Sequence, residues 1–137
     1  MNDRVSGEFE VKLTPQSLAE AKADSGLARM SIAKQFHGEL EATSQGEMLS
    51  AMSAVQGSAG YVAMERVTGQ LSGRQGSFVL QHSATMNRGV PSLSIAVVPD
   101  SGTDQLSGLT GTMGIRIEGG KHFYDFDYAL AAAAESA

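Results

Sequence analysis

The chain has 137 residues, which is enough for one domain with a substantial apolar core. Its net charge is −5 and it has no cluster of lysine and arginine, which argues against nucleic-acid binding because that requires a basic surface. The absence of cysteine excludes disulfides, thiolate metal sites and cysteine nucleophiles. We expect a single domain over residues 1–137.

The sequence has no feature that predicts contact with a membrane or export. No apolar stretch approaches the ~20 residues needed to span a bilayer. The first residues, MNDRVSGEFEV, lack the basic start and apolar run of a signal peptide. We therefore expect a cytoplasmic protein with no membrane partner.

Apolar and polar residues alternate along the first part of the chain, which indicates β-strands. A first strand is predicted over residues 8–13, and the alternation then stops over residues 15–29. That interruption is compatible with a short helix over residues 17–23 or with a surface loop. Further strands are predicted over residues 30–42 and 47–52, with a turn at Ser44-Gln45-Gly46 between them.

The second half of the chain has a clearer pattern. Glycine- and asparagine-containing turns, which favour positive φ, separate five β-type runs at residues 61–71, 76–86, 92–99, 110–118 and 121–130. A meander of about eight strands usually closes on itself and so removes its edges. We predict an all-β fold, a single closed antiparallel barrel, followed by a disordered or briefly helical tail at residues 131–137.

Tight turns fix which residues face each other across a hairpin. With Gly73-Arg74 as a two-residue turn, Glu65 lies opposite His82. Turns at Arg88-Gly89 and Gly119-Gly120 place Ile95 opposite His82 and Ile115 opposite Tyr124. Each register gives one apolar face, and the polar or aromatic residues on that inward face are Lys34, Tyr61, Glu65, His82, His122, Tyr124 and Tyr128, with Glu47 as a further candidate.

The facing pair Glu65 and His82 suggests general acid–base chemistry, because a carboxylate beside an imidazole fixes its tautomer and tunes its proton affinity. The same pair is also compatible with a buried polar contact that only satisfies its own hydrogen bonds. Lys34 is interpreted as a Schiff-base amine, as a counter-ion of Glu65, or as a lysine whose amine reaches the barrel rim.

An aromatic stripe on the last predicted strand contains His122, Tyr124 and Tyr128. Such a stripe lines a ligand pocket in some barrels and fills the core in others. Because His82 and His122 lie on different strands without a His-x-His or His-x-x-x-His spacing, we expect no metal site. No Gly-x-Ser-x-Gly elbow or phosphate-binding loop is present, and we expect no cofactor.

Several segments together resemble one family. They are Ser31-Ile32-Ala33-Lys34 with Gly38, and residues 58–89, 92–113 and 119–130. The chain resembles an uncharacterised bacterial family of domain-of-unknown-function proteins, whose members are similar to the allene oxide cyclase barrel. This resemblance implies an eight-stranded barrel and a homo-oligomer, a dimer or trimer. The plant cyclase binds a fatty-acid epoxide in an apolar cavity without a cofactor, but its catalytic residues do not match this sequence one by one.

Three functions are compatible with the sequence. The barrel binds a small apolar or amphipathic molecule lined by Tyr61, Tyr124, Tyr128 and the Glu65/His82 pair. Alternatively, it is a cofactor-free isomerase, cyclase or hydrolase that uses Glu65 and His82 as acid and base. In the third hypothesis the barrel is filled and acts through its surface or an oligomer interface. An interior cavity of several hundred Å³ would favour the first two.

Overall fold

The computed structural model describes residues 3–18 and 25–130, and within these ranges the chain forms eight antiparallel strands and one short 3₁₀ helix. Each strand pairs with the next along the chain, and β8 pairs with β1, so the sheet closes into a barrel. The predicted all-β barrel is therefore confirmed. The strands are β1 Asp3–Gln16, β2 Leu27–Phe36, β3 Leu40–Met52, β4 Ala59–Leu71, β5 Arg74–Asn87, β6 Val90–Val97, β7 Thr110–Glu118 and β8 Lys121–Ala129.

One end of the barrel, here called the closed end, is filled with large apolar side chains. It carries the connections at residues 37–39, 72–73 and 98–109. Aromatic rings stack in this part of the core, with Phe78 and Phe126 at 5.7 Å between ring centroids. Its fully buried side chains include Phe36, Leu40, Leu71, Phe78, Leu106, Leu109 and Phe126.

The segment at residues 98–109 covers the closed end. Its 3₁₀ helix, Asp104–Leu106, places Leu106 in the core, and Leu109 follows it there. Side chains of the segment accept hydrogen bonds from β5, where the Ser77 amide donates to Thr103 Oγ1 at 3.0 Å and the Val79 amide to Ser101 Oγ at 3.0 Å. These bonds hold the apolar cover against the barrel.

The opposite end, here called the open end, carries the connections at residues 53–58, 88–89 and 119–120. Inward-facing apolar side chains near these turns stay in contact with solvent. Met52, Leu93 and Ile117 are 72%, 41% and 66% exposed although each lies on the inward side of its strand. The barrel is thus filled at one end and hollow at the other.

Two of the three predicted hairpin registers are confirmed. Ile95 lies opposite His82, and Ile115 lies opposite Tyr124. The turn predicted at Gly73-Arg74 is wrong by one residue, because the two central residues are Ser72 and Gly73, with φ of 48° and 81°. Both adopt the left-handed conformation that two-residue hairpins favour, so glycine takes the second position of the turn.

This correction shifts the partners of β4 and β5 by two residues. Glu65 lies opposite Leu80, and His82 lies opposite Ala63. A shift of two keeps every side chain on its own face, because strand side chains alternate with a period of two. The inward placement of Glu65 and His82 therefore survives the change of partners.

The predicted strand boundaries in the first half are wrong. β2 ends at Phe36, the chain turns through Gly38 with φ of 112°, and β3 runs from Leu40 to Met52 without the predicted turn at residues 44–46. Gly46 lies inside β3. Only glycine fits at this position, because a Cβ would be 2.1 Å from the carbonyl oxygen of Met64. Its glycine reflects a close approach of two strands rather than a turn.

Part of the segment predicted as irregular belongs to strands. β1 extends to Gln16 and β2 begins at Leu27, so residues 15, 16 and 27–29 of the predicted interruption lie in strands. Most of the predicted helix over residues 17–23 lies outside the described residues. The predicted tail at residues 131–137 also lies outside them.

The seam between β6 and β7 has the fewest paired residues of the barrel. In the described parts of the chain these two strands pair at Ala96–Thr112 alone, whereas β7 and β8 pair over nine positions. The seam runs from the closed end towards Leu93 and Ile117 at the open end. No helix of the described residues is long and apolar enough to cross a membrane.

Candidate functional site

A buried carboxylate lies at the centre of the barrel. Glu65, on β4, has no exposed surface and accepts hydrogen bonds from three side chains. Lys34 Nζ on β2 donates to Oε1 at 3.1 Å, His82 Nε2 on β5 to the same oxygen at 2.8 Å, and Ser44 Oγ on β3 to Oε2 at 2.5 Å. Lys34 therefore acts as the counter-ion of Glu65, one of the roles considered from the sequence.

The local sequence explains how four strands bring these groups together. Lys34, Ser44, Glu65 and His82 all occupy inward positions of their strands. Gly46 lets β3 approach β4 beside Glu65, because the space for its missing Cβ is taken by the backbone of Met64 and Glu65. The Lys34 amine also lies 5.0 Å from the ring centre of Phe9, where the ring face stabilises its charge.

The surroundings hold Glu65 in its ionised form. Burial on its own would raise the pKa of this carboxyl, and it is the largest single influence. The hydrogen bond from His82, the charge of Lys34 and the hydrogen bond from Ser44 together outweigh burial and keep the pKa of Glu65 below its ordinary value. Both carboxylate oxygens are thus acceptors at neutral pH.

His82 connects this cluster with Tyr61. The imidazole is almost fully buried, and its Nδ1 lies 3.3 Å from the hydroxyl of Tyr61 on β4. Tyr61 is half-buried, and burial followed by the charge of Glu65 raises the pKa of its phenol. The chain of hydrogen bonds therefore runs Lys34–Glu65–His82–Tyr61 and ends on a neutral phenol.

The phenol of Tyr61 faces a cavity at the open end. The cavity has a volume of about 530 Å³, and apart from Tyr61 its lining is mainly small or apolar. No lysine, arginine, histidine or carboxylate is among the described residues that line it. The lining residues are Met48, Ser50, Ala51, Met52, Ala59, Gly60, Tyr61, Ala84, Thr85, Met86, Pro91, Ser92, Leu93 and Ile117.

The structure separates the predicted site residues into two groups. Lys34, Tyr61, Glu65 and His82 form one hydrogen-bonded chain. The residues of the β8 stripe lie apart from this chain and do not line the cavity. His122 is half-buried with its ring centre 5.3 Å from that of Phe9.

The two tyrosines of β8 are buried and bonded to the protein. The Tyr124 hydroxyl donates to the carbonyl of His37 at 2.9 Å, and the Tyr128 hydroxyl lies 3.1 Å from Ser72 Oγ. Both contacts lie at the closed end. The further candidate Glu47 points outward and pairs with Arg29 at 2.8 Å, so its predicted inward position is wrong.

Sequence reasoning missed Ser44 and the apolar lining of the cavity. Ser44 was assigned to a turn, which removed it from the inward face of β3. The inward position of the lining residues Met48, Leu93 and Ile117 could have been read from the alternation, which continues up to the turns. That alternation is the same in filled and in hollow barrels. No group of three or more histidine, aspartate or glutamate residues in the described ranges is placed to hold a metal ion.

Comparison with known proteins identifies the family. The sequence pattern of DUF3224, described as a protein of unknown function, matches residues 5–128. The chain belongs to the DUF3224 family. A crystal structure of a DUF3224 protein of unknown function from Shewanella oneidensis MR-1 is similar to it, with 54% sequence identity, a TM-score of 0.90, and coverage of 96% of this chain and 99% of that one.

The predicted family of unknown function is confirmed by these matches. No similarity to a curated protein is detected. The DUF3224 description assigns no activity, so the function of this barrel is not established and must be argued from its own geometry.

Proposed function

We propose that this DUF3224 barrel binds a small apolar or amphipathic molecule in the cavity at its open end. The observation that carries the proposal is the cavity of about 530 Å³, which has a mainly apolar wall and a few hydroxyl groups, those of Ser50, Tyr61, Thr85 and Ser92. Small-molecule sites combine such apolar walls with a few polar groups that fix the orientation of the ligand. The proposed similarity to the allene oxide cyclase barrel is consistent with an apolar guest.

The exposure of the lining supports the same function. Met52, Leu93 and Ile117 face inward and remain in contact with water, although each would be stabilised by an apolar partner. A guest that covers these side chains would remove apolar surface from water at the open end. We place this activity in the cytoplasm, which agrees with the absence of cysteine.

Binding of a fluorescent apolar probe, N-phenyl-1-naphthylamine, tests the proposal. Ala84 faces the cavity, and Ala84→Phe should fill it and reduce probe affinity by about tenfold or more. The matched control Ser94→Phe adds the same ring on the outer face of β6, beside the cavity-lining Leu93, and should leave probe affinity unchanged. Equal binding by all three proteins would refute the cavity as the site. Native mass spectrometry of the purified protein would show any ligand that co-purifies.

Acid–base catalysis by Glu65 and His82 has less support from the geometry. Neither residue lines the cavity, and both nitrogens of His82 are occupied, Nε2 by Glu65 and Nδ1 by Tyr61. A substrate in the cavity meets Tyr61 before it meets the pair. The catalytic role predicted for Glu65 and His82 stays a prediction.

A second candidate function, a homo-oligomeric scaffold, is favoured by the outer face of β3 and β4. Leu49 and Val62 are cross-strand partners there, Met64 is the next outward residue along β4, and each is about half exposed. We propose that a second copy of the chain covers this stripe, because an isologous dimer places one apolar stripe against the same stripe of its partner. Val62→Glu should convert a dimer to a monomer in native mass spectra. The same number of subunits in the wild type and the variant would exclude this interface.

A further inference from the structure

The direction of each hydrogen bond between Glu65 and Tyr61 can be assigned. Glu65 is ionised and can only accept, so the proton between it and His82 must reside on Nε2 of the imidazole. A neutral imidazole then presents a lone pair at Nδ1. The Tyr61 hydroxyl, 3.3 Å away, donates its single hydrogen to that lone pair.

This assignment determines what Tyr61 offers to a ligand. A phenol has one hydrogen and two lone pairs, and here the hydrogen is already directed at His82. Because Tyr61 lines the cavity, its hydroxyl oxygen offers a ligand an acceptor there. A ligand satisfies it only by donating an O–H or N–H group.

The charges of the cluster balance without the ligand. Lys34 and Glu65 form a buried ion pair whose charges neutralise each other. The described residues lining the cavity include no basic side chain that could neutralise an anionic ligand. Ser50, the cross-strand neighbour of Tyr61, can donate or accept and so does not discriminate between the two ligand types.

We propose that the cavity selects an apolar molecule that ends in a neutral hydrogen-bond donor, such as an alcohol or phenol, over a carboxylate with the same chain. This inference rests on the proposed binding function and specifies the ligand class for that site. The discriminating atom is the hydroxyl oxygen of Tyr61. His82 and Glu65 make it a hydrogen-bond acceptor for the ligand, because the hydroxyl hydrogen is directed at His82. Tyr61 is thus the specificity-determining residue, and His82 and Glu65 are positioning residues.

Competition between decanol and decanoate for the bound fluorescent probe tests the selection. At about pH 8 decanol should displace the probe at a concentration roughly tenfold lower than decanoate, the difference that one hydrogen bond and one uncompensated charge can produce.

The variant Tyr61→Phe separates the head-group contact from apolar burial. It should lose the preference for decanol, so that decanol and decanoate then displace the probe at similar concentrations, whatever the affinity of the variant for the probe itself. Equal or better binding of decanoate by the wild type at about pH 8 would overturn the proposed selection while leaving the binding function intact. If the wild type binds the probe no better than Ala84→Phe, the binding function fails and the selection fails with it.

Discussion

The two ends of the barrel differ in what fills them. At the closed end, rings such as Phe78 and Phe126 pack face to face and the segment at residues 98–109 covers them. At the open end, inward side chains such as Leu93 and Ile117 remain exposed around a cavity of about 530 Å³. The same alternating strands serve both ends, so the packed core and the proposed ligand site occupy different halves of one sheet.

The buried chain from Lys34 to Tyr61 lies between the two halves. Its charges are shielded from water by the filled end, and its last hydroxyl reaches the hollow end. A buried chain of hydrogen bonds can thus stabilise an apolar barrel at one end and, under the proposed function, meet a ligand at the other. Four measurements test this difference between the two ends.

The largest effect on stability is expected at Glu65, in the buried hydrogen-bonded chain between the two ends. Glu65→Ala removes the partner of a buried ammonium and should lower the free energy of unfolding by about 3–5 kcal/mol, measured by urea denaturation. Glu47→Ala, which removes an exposed partner of Arg29, should leave it nearly unchanged. If Glu65→Ala does not fold, Lys34→Met combined with Glu65→Leu should restore folding, because no buried lysine is then unpaired. A stable Glu65→Ala protein would contradict the structural role.

The second measurement compares one residue type at the two ends. Leu71→Ala at the closed end should cost about 2–5 kcal/mol, the range for a fully buried leucine. Leu93→Ala at the open end should cost under about 1 kcal/mol, because its side chain is already 41% exposed. Similar losses for the two variants would show that the open end is packed in solution and that the contrast is false.

The third measurement uses pH. Because the folded pKa of Glu65 lies below the ordinary value of 4.5, its ionised form stabilises the protein above that pH, and this contribution disappears as the pH falls through the folded pKa. The stability difference between the wild type and Glu65→Gln should therefore be constant near neutrality and shrink below about pH 4.5. A difference that grows on acidification would contradict an ionised Glu65.

The smallest effect is expected at Tyr61. Tyr61→Phe removes one half-buried hydrogen bond and should cost about 1 kcal/mol or less. In ¹⁵N–¹H spectra of the imidazole, the proton of His82 should be found on Nε2 in both proteins, because Glu65 holds it there. A proton on Nδ1 alone would contradict the assigned direction of the hydrogen bonds.

The fold was predictable from the sequence because strand alternation and glycine turns are local signals. The inward side of β4 and β5 was also predictable, since a register error of two residues leaves each face unchanged. The strand break at Gly38 was missed because Gly46 looked like a turn, and a strand-to-strand approach is invisible in a single sequence. The cavity could not be predicted, because the same inward apolar residues occur in filled and in hollow barrels.

The Glu65–His82 contact was predicted for a partly wrong reason. The two residues are diagonal neighbours rather than facing partners, and their long side chains bridge the offset. The other two side chains that bond to Glu65, those of Lys34 and Ser44, lie on strands whose boundaries the sequence did not resolve. β3 reaches this pair because it is hydrogen-bonded to β4, and Lys34 on β2 points into the same barrel interior.

The sparse pairing between β6 and β7 has a consequence for selectivity. The girth of the open end is not fixed by a continuous ring of hydrogen bonds, because these strands pair at Ala96–Thr112 alone in the described structure. We expect broader ligands to enter when β6 and β7 move apart at the open end, because no continuous ladder of hydrogen bonds between these strands has to break. The barrel would then bind ligands of different widths. It would distinguish them by their polar end, through the contact with one hydroxyl group, rather than by their size.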